Sequence, residues 1–482
     1  MNYPVPYNLL DKILYFVICP LIFISFLLES FTNDVLIYLG TAKVALITGG
    51  FPMNLDSVWE SRFVGHRFLY YVLNLISPFK GLIYSIWIKL IVGLITLVIL
   101  YYFSKQVSEK MQIPFQYPFI IGFLGFFAVN GFVILSAEFI SIIIGMVMLI
   151  FLLQDARKEL WILSSLCIVI LLILKGLTVL VLPIVILVVI MFVPYYKSRF
   201  KIALYGLPIA GILYGGMALY FPHFISDIFL VTKIAHLNQL SYFSSIIYFF
   251  QYGIRILWFI PIIIIGIVVL FELLTIKDVN KRRNIGLLLG MWIISILYVL
   301  VISEFFYYHY YLMLFPALFT ICYFLCHYAF PKPAFWVIVI LTLVVFTGVV
   351  AEWSPGLQGK EYVFQSERER VVTDILSRYD LLNQSTILYL DTGESAYFFP
   401  VKSASRYVGA IPYQRDMPGW DMKQTPAYWE NLNESLAYRG KYVIVNPTWF
   451  NLTVSTHSAI ADKLDREYVR VYVGRWDVYL RE

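Results

Sequence analysis

Charged residues are scarce in this chain. Asp, Glu, Lys and Arg make up 14% of its 482 residues, against 60% hydrophobic and 18% aromatic, a balance that excludes an ordinary soluble globule. Cysteine is nearly missing too. The four present (Cys19, Cys167, Cys322 and Cys326) all lie in apolar runs, so no disulfide framework is implied. No H-E-x-x-H, C-x-x-C, G-x-S-x-G or phosphate-binding P-loop occurs, which leaves serine hydrolysis and ATP-driven transport without support. No fixed-period repeat is evident, which argues against inverted-repeat transporters. The first apolar run lacks a small-residue cleavage site after it, so it reads as a retained span rather than a signal peptide.

What the chain does hold is a series of apolar runs of about 17 to 22 residues, each long enough to cross a hydrocarbon core of about 30 Å. Mean hydropathy is +0.78. Spans are expected at 13–29, 83–103, 114–132, 136–153, 160–174, 176–194, 202–220, 254–275, 285–303, 309–328 and 334–351. The net charge of +6 does not indicate nucleic acid, because the basic residues collect in short loops between spans. Lys12, Lys105, Lys110, Arg157, Lys158, Lys197, Arg199, Lys201, Lys277, Lys281, Arg282, Arg283 and Lys332 all fall on one side of the membrane. The positive-inside rule then puts the N-terminus in the cytoplasm and the C-terminus outside.

Two outer loops are long. In the first, 30–82, NDVLIYLGTAKVALITGG and HRFLYYVLNLISPF read as helices resting in the interface. The second, 221–253, is aromatic and weakly polar and is expected to rest there as well. Composition changes sharply after Ala351. Charged helical stretches (SERERVVTDILSRYDLL, AIADKLDREY) alternate with short β-rich runs (TILYLD, YVIVN, VRVYVG, DVYLR), which predicts a small α/β domain ending in a hairpin around Gly474. Three Asn-x-Ser/Thr sequons, at Asn383, Asn433 and Asn451, all fall there and fit an external location. The expected architecture is a polytopic α-helical membrane protein of about eleven spans. It has interfacial helices in the first outer loop and a C-terminal external α/β domain, divided as residues 1–351 and 352–482.

The chemistry-bearing residues gather at the outer ends of spans. Asp34 follows the first span and reads either as a helix cap, with Asn33, or as a carboxylate that takes a proton beside a lipid-anchored substrate. Asp56 and Glu60 read as solvated loop charges. Glu138 opens a later span, where it caps the helix or points into an outer cavity. Lys175 sits between two apolar runs and either snorkels to headgroups or reaches a phosphate. His309 opens a span among aromatics, where a structural role competes with a binding one. Arg62, Arg67, Lys233, His236 and Arg255 complete an outer basic inventory able to meet phosphate. Trp420, Trp429 and Trp449 suit sugar stacking but read first as core aromatics. Acidic and basic groups beside membrane-resting loops suit a donor that is a lipid phosphate: cations hold the phosphate while one carboxylate deprotonates an acceptor hydroxyl.

In order along the chain, FTNDVLIYLGTAKVALITGGFP, HRFLYY, AEFISIIIG, LILKGLTVLVLP and YYHYYLMLFPAL resemble elements of the GT-C class of integral-membrane glycosyltransferases. The resemblance is to the branch around dolichyl-phosphate-mannose–protein mannosyltransferases and their prokaryotic relatives. The tail piece ILYLDTGESAYFFPVKSASRYVGAIPY resembles the external domain of the prokaryotic members. The resemblance implies a hexosyl- or pentosyltransferase that uses a polyprenyl- or dolichyl-phosphate monosaccharide, with inversion at the anomeric carbon. Asp34 would be the general base and Glu138 the second acidic residue. Lys175, His309, Arg67, Arg62 and Arg255 would meet the donor phosphate, and Asp56, Tyr38, His66 and Tyr308 the substrate. The acceptor would be a lipid, a glycan or a protein, and membrane lipids would surround the spans. A divalent metal stays open, because metal dependence varies within the class. The sequence departs from the pattern in two places. Asp34 is flanked by Asn33 and Val35 rather than forming an Asp-Glu pair, and Arg67-Phe68 stands where the family has Pro-Pro. The competing readings are a transporter or flippase of a lipid-linked substrate, and a non-catalytic scaffold presenting the C-terminal domain.

Overall fold

Proline marks where many of the helices begin. Pro118, Pro183, Pro208, Pro261 and Pro316 each stand third in a helix: α5 (Gln116–Phe123), α8 (Val181–Phe192), α9 (Gly206–Tyr220), α11 (Phe259–Thr275) and α13 (Leu314–His327). First-turn N–H groups have no intrahelical acceptor, so a residue without one starts a helix at no cost in hydrogen bonds. The computed structural model describes residues 16–17, 19–28, 33–47, 64–76, 81–128, 136–154, 158–174, 181–193, 197, 201, 204–220, 242–254, 259–302, 307–327, 360–391, 393–405, 426–453 and 457–482.

The remaining bundle helices are α1 (Cys19–Leu28), α2 (Asn33–Ile47), α3 (Val64–Ile76), α4 (Gly81–Met111), α6 (Ala137–Leu153), α7 (Lys158–Leu174), α10 (Tyr242–Gly253) and α12 (Val279–Ile302). Ten of the eleven expected spans overlap one of these helices or α5, α8, α9, α11 or α13. The eleventh, 334–351, lies outside the described residues. Ile86–Met111 and Val279–Leu300 are by themselves long and apolar enough to cross a bilayer, and the other apolar helices described are shorter.

The helices alternate in direction. Cys326 Sγ at the end of α13 donates to Met111 O at the end of α4 (2.8 Å), and an Arg283 nitrogen near the start of α12 donates to Ile190 O near the end of α8 (3.2 Å). These contacts gather Lys110, Lys281, Arg282 and Arg283 at one end of the bundle. Close packing depends on a few glycines. A Cβ on Gly145 would stand 2.7 Å from Val181 Cγ1, so α6 and α8 approach more closely than any side chain there allows. Gly145→Val is expected to lower stability by about 1–3 kcal/mol through overpacking, read as a lower Tm of the detergent-solubilised protein. An unchanged Tm would mean the two helices have slack.

The described residues of 360–482 fold as an α/β layer. Helices α14 (Lys360–Arg378), α15 (Ser395–Phe398), α16 (Pro426–Ala437) and α17 (Ser458–Glu467) flank a sheet of β1 (Leu388–Leu390), β2 (Tyr442–Val445), β3 (Tyr468–Tyr472) and β4 (Asp477–Arg481). The strand order is β1-β2-β4-β3. The first two strands are parallel (Leu388 opposite Val443) and the other pairings antiparallel. Alternation along the strands divides the core in two. Leu388, Leu390, Val443 and Val445 pack with Tyr428 of α16 and with Ile460 and Leu464 of α17; Tyr389, Tyr442 and Ile444 pack on the other face with Val372 and Ile375 of α14. The predicted strands and the β3–β4 hairpin are present. The three sequon asparagines are exposed.

Two expectations differ from what folds. Helix α2 is not an amphipathic surface helix: Val35, Leu36, Leu39, Thr41, Ala42 and Val44, which encircle it, are all buried. It is enclosed because it packs against α3 on one side and α15 of the C-terminal layer on the other. Trp429 and Trp449 are 51% and 41% exposed rather than core residues, because their neighbours Tyr428 and Phe450 occupy the core positions instead. Trp420 lies outside the described residues.

Candidate functional site

Four segments converge at the end of the bundle opposite Lys110 and Arg283. The first is the end of α1. The second is the π-helical turn Leu124–Ala128 that continues α5, and the third is the start of α6. The fourth is the 3-10 segment Tyr307–Met313 that leads into α13. Their rings interlock. Phe26 meets Phe127 edge-on (5.1 Å between centroids), Phe126 meets Phe139 (5.6 Å), and Phe139 stacks on Tyr311 (6.2 Å, 11° between planes). The Tyr311 hydroxyl donates to Gly125 O at 3.0 Å, a carbonyl within the π turn, where the regular ladder is interrupted. Pro316, third in α13, follows the tight turn that carries Tyr308 and His309. Lacking an N–H, it leaves Leu312 O without its helical donor; the Ser295 hydroxyl, which donates to Met291 O at 3.0 Å, lies 3.5 Å from that oxygen.

The backbone places Glu138, Tyr308 and His309 at this end, and Asp34 shortly after α1 in the chain. Asp34 is second in α2, with Tyr38 one turn further on; Glu138 is second in α6, beside Phe139; Tyr308 and His309 lie within the 3-10 segment that Phe139 touches through Tyr311. His66 and Arg67 are in the first turn of α3, which packs against both α2 and α7. Of the two readings for Glu138, capping falls to another residue: Ser136 Oγ accepts from Phe139 N at 3.1 Å. Lys175, Arg62, Asp56 and Arg255 lie outside the described residues, as do Glu60, Lys233 and His236. Among the described residues, no three His, Cys, Asp or Glu side chains come together to hold a metal ion.

The C-terminal layer meets the bundle through α15 on α2 and through α14 on α4. At the carboxyl edge of β1, Asp391 accepts from Gly393 N (2.6 Å) and Ser395 N (2.9 Å), fixing the loop that leads into α15. Gly393 permits the loop by taking φ 97°. Glu394, fully buried, accepts from Asn446 Nδ2 at 2.5 Å, and an Arg475 guanidinium nitrogen lies 3.9 Å from the same oxygen. Burial and the neighbouring Asp391 carboxylate push Glu394 up to about 7, against the opposing pull of Arg368 and the Asn446 hydrogen bond. Burial likewise raises Asp391, opposed by the hydrogen bonds from Ser395 and Gly393.

No protein-family model and no curated protein matches this sequence. A solved structure does match the fold. ArnT from Cupriavidus metallidurans, crystallised bound to undecaprenyl phosphate, superposes with a TM-score of 0.57 over 97% of each chain at 13% identity. The fold is a GT-C membrane fold. The likeness spans both the bundle and the C-terminal layer, so the GT-C resemblance read from degenerate motif order holds for architecture.

Two features of this chain escaped the motif reading. Lys89, in the third turn of α4, is fully buried, and its ammonium donates to Phe26 O at 3.2 Å beside the aromatic junction. An ionisable residue inside an apolar helix is a functional candidate by default, and GLIYSIWIKLIVGL displays it openly. The second is the acidic pair in DTGES. Its spacing of three is unremarkable in a polar segment, and only the sheet edge makes it a buried network.

Proposed function

We propose that this chain is a glycosyltransferase that moves a monosaccharide from a polyprenyl- or dolichyl-phosphate donor to an acceptor hydroxyl on the outer face of the plasma membrane. The observation that carries the reading is the fold shared end to end with ArnT, a protein crystallised with undecaprenyl phosphate. The convergence of the segments bearing Glu138 and His309 with the end of α1, six residues before Asp34, supports it. In this reading the N-terminus is cytoplasmic and the α/β layer, residues 352–482, is external.

The Asp34 carboxylate accepts the proton of the acceptor hydroxyl. The acceptor oxygen forms a bond to the anomeric carbon from the face opposite the phosphate, the C1–O–phosphate bond breaks, and the polyprenyl phosphate leaves with the bonding electrons, so configuration inverts. Glu138 is the second acidic group. Lys175, His309, Arg67, Arg62 and Arg255 neutralise charge developing on the leaving phosphate, while Asp56, Tyr38, His66 and Tyr308 contact the sugar or acceptor. The test is purified protein in liposomes given radiolabelled polyprenyl-phosphate sugars with membrane extract as acceptor. Label is expected to pass from the donor into a glycosidic product. Label that crosses the bilayer while remaining on its donor would overturn transfer in favour of a flippase.

A further inference from the structure

Helix α2 is gripped from two directions. On the bundle side, Asn74 Nδ2 of α3 donates to Leu39 O at 3.3 Å. On the other side the main chain of α15 lies directly on Gly40. A Cβ added there would stand 2.5 Å from Tyr397 N and 2.9 Å from Ala396 C, and neither backbone atom can step aside. One turn on, Lys43 Nζ donates to Tyr397 O at 3.3 Å and lies 3.9 Å over the centre of the Tyr397 ring. The two cores also exchange residues: Tyr397 packs into the bundle core and Val44 into that of the α/β layer.

The surface presented to α2 is itself fixed. Asp391 ties down Gly393 N and Ser395 N, Glu394 is held by Asn446, and Asn446 N donates to Leu390 O at 3.1 Å. Tyr397 N donates to Glu394 O at 3.0 Å. A continuous set of bonds therefore runs from the sheet through α15 to α2. Asp34 stands six residues before Gly40 on the same helix, about 9 Å along its axis, so a shift at Gly40 is carried rigidly to the first turn.

We propose that Gly40 and Lys43 are positioning residues, forming the seat through which the C-terminal layer sets where α2 holds Asp34 relative to the donor. This rests on Asp34 acting as the base. The seat fixes geometry at the reacting end without touching substrate, so its loss should lower kcat and spare donor binding.

The test uses the full-length protein in nanodiscs, with sugar transfer and amide hydrogen exchange read on the same samples. Gly40→Ala is expected to lower kcat about 10- to 100-fold while donor KM stays within about two-fold. Exchange across Asn33–Ile47 should quicken while that of Val279–Ile302 does not change. Alanine ordinarily favours a helix over glycine, so faster exchange runs against propensity and reports the lost seat. Lys43→Met should give a smaller loss of kcat, and Lys43→Arg, which keeps a cation and a donor, should recover most of it. This pair decides the matter if Gly40→Ala fails to fold. Wild-type kcat and wild-type exchange in Gly40→Ala, or equal activity of Lys43→Met and Lys43→Arg, would overturn the seat. Loss of transfer in Asp34→Asn would still stand in that case, separating the failure of the seat from the failure of the base.

Discussion

Asp34→Asn is expected to lower sugar transfer by about 10²- to 10⁴-fold, the range for removing a positioned general base. The carboxamide is nearly isosteric, so α2 keeps its length and its packing on α3 and α15, all of which lie C-terminal to the substituted position. What disappears is the ability to accept a proton. Without it the acceptor hydroxyl must attack the anomeric carbon while still protonated, and positive charge builds on its oxygen in the transition state. The defect should therefore appear in kcat, with donor KM close to that of the wild type. Steady-state transfer from a labelled polyprenyl-phosphate sugar measures it, with matched Tm values for the two proteins showing that the fold is retained. Full activity in the variant would remove Asp34 from the mechanism. A rise in donor KM with kcat unchanged would make it a binding residue instead.

The helices were legible because a bilayer imposes a length on an apolar run, and that length can be counted. The strands of the C-terminal layer were legible too, since TILYLD and YVIVN place a hydrophobic residue at nearly every position, as strands covered on both faces require. The environment of α2 was not. NDVLIYLGTAKVALI looks like a surface helix because Asp34, Thr41 and Lys43 interrupt its apolar positions. Lys43, however, meets Tyr397, 354 residues away, and no local pattern signals a contact at that range. The role of Gly40 is hidden for the same reason: a glycine within a helix reads as a weakness until the backbone it admits is seen. At Glu138 the sequence holds capping and pointing into an outer cavity level, and Ser136 takes the cap by accepting one hydrogen bond from Phe139 N. Trp429 and Trp449 show the converse limit. Aromatic content alone predicted burial, but which of two adjacent aromatics faces inward depends on the phase of α16 and of the turn after β2.

Glu394 makes the stability of the C-terminal layer depend on pH in a direction opposite to that of most carboxylates. Its side chain is fully buried, and its proton is held up to about 7 rather than the ordinary 4.5. In the unfolded chain the same group would release its proton near 4.5. Between these values the folded state binds more protons than the unfolded state, so stability falls as pH rises. The contribution is intact below about 4.5 and lost above about 7, and the difference amounts to about 3 kcal/mol. Arg368 and Arg475 face the group and Asp391 adjoins it. Burial also raises Asp391, which acts in the same sense. Glu394→Gln keeps an oxygen to accept from Asn446 and cannot ionise. Thermal unfolding followed by tryptophan emission should therefore show a Tm that declines from pH 5 to pH 8 in the wild type, and a flatter profile with a higher Tm at pH 8 in the variant. Parallel profiles would mean that the carboxylate is already ionised in the folded protein and held by its arginines. Because the loop that buries Glu394 also carries Tyr397 to α2, loosening at alkaline pH should reach Asn33–Ile47 before it reaches the long helices of the bundle, and hydrogen exchange at pH 5 and pH 8, corrected for the intrinsic pH dependence, would show that order.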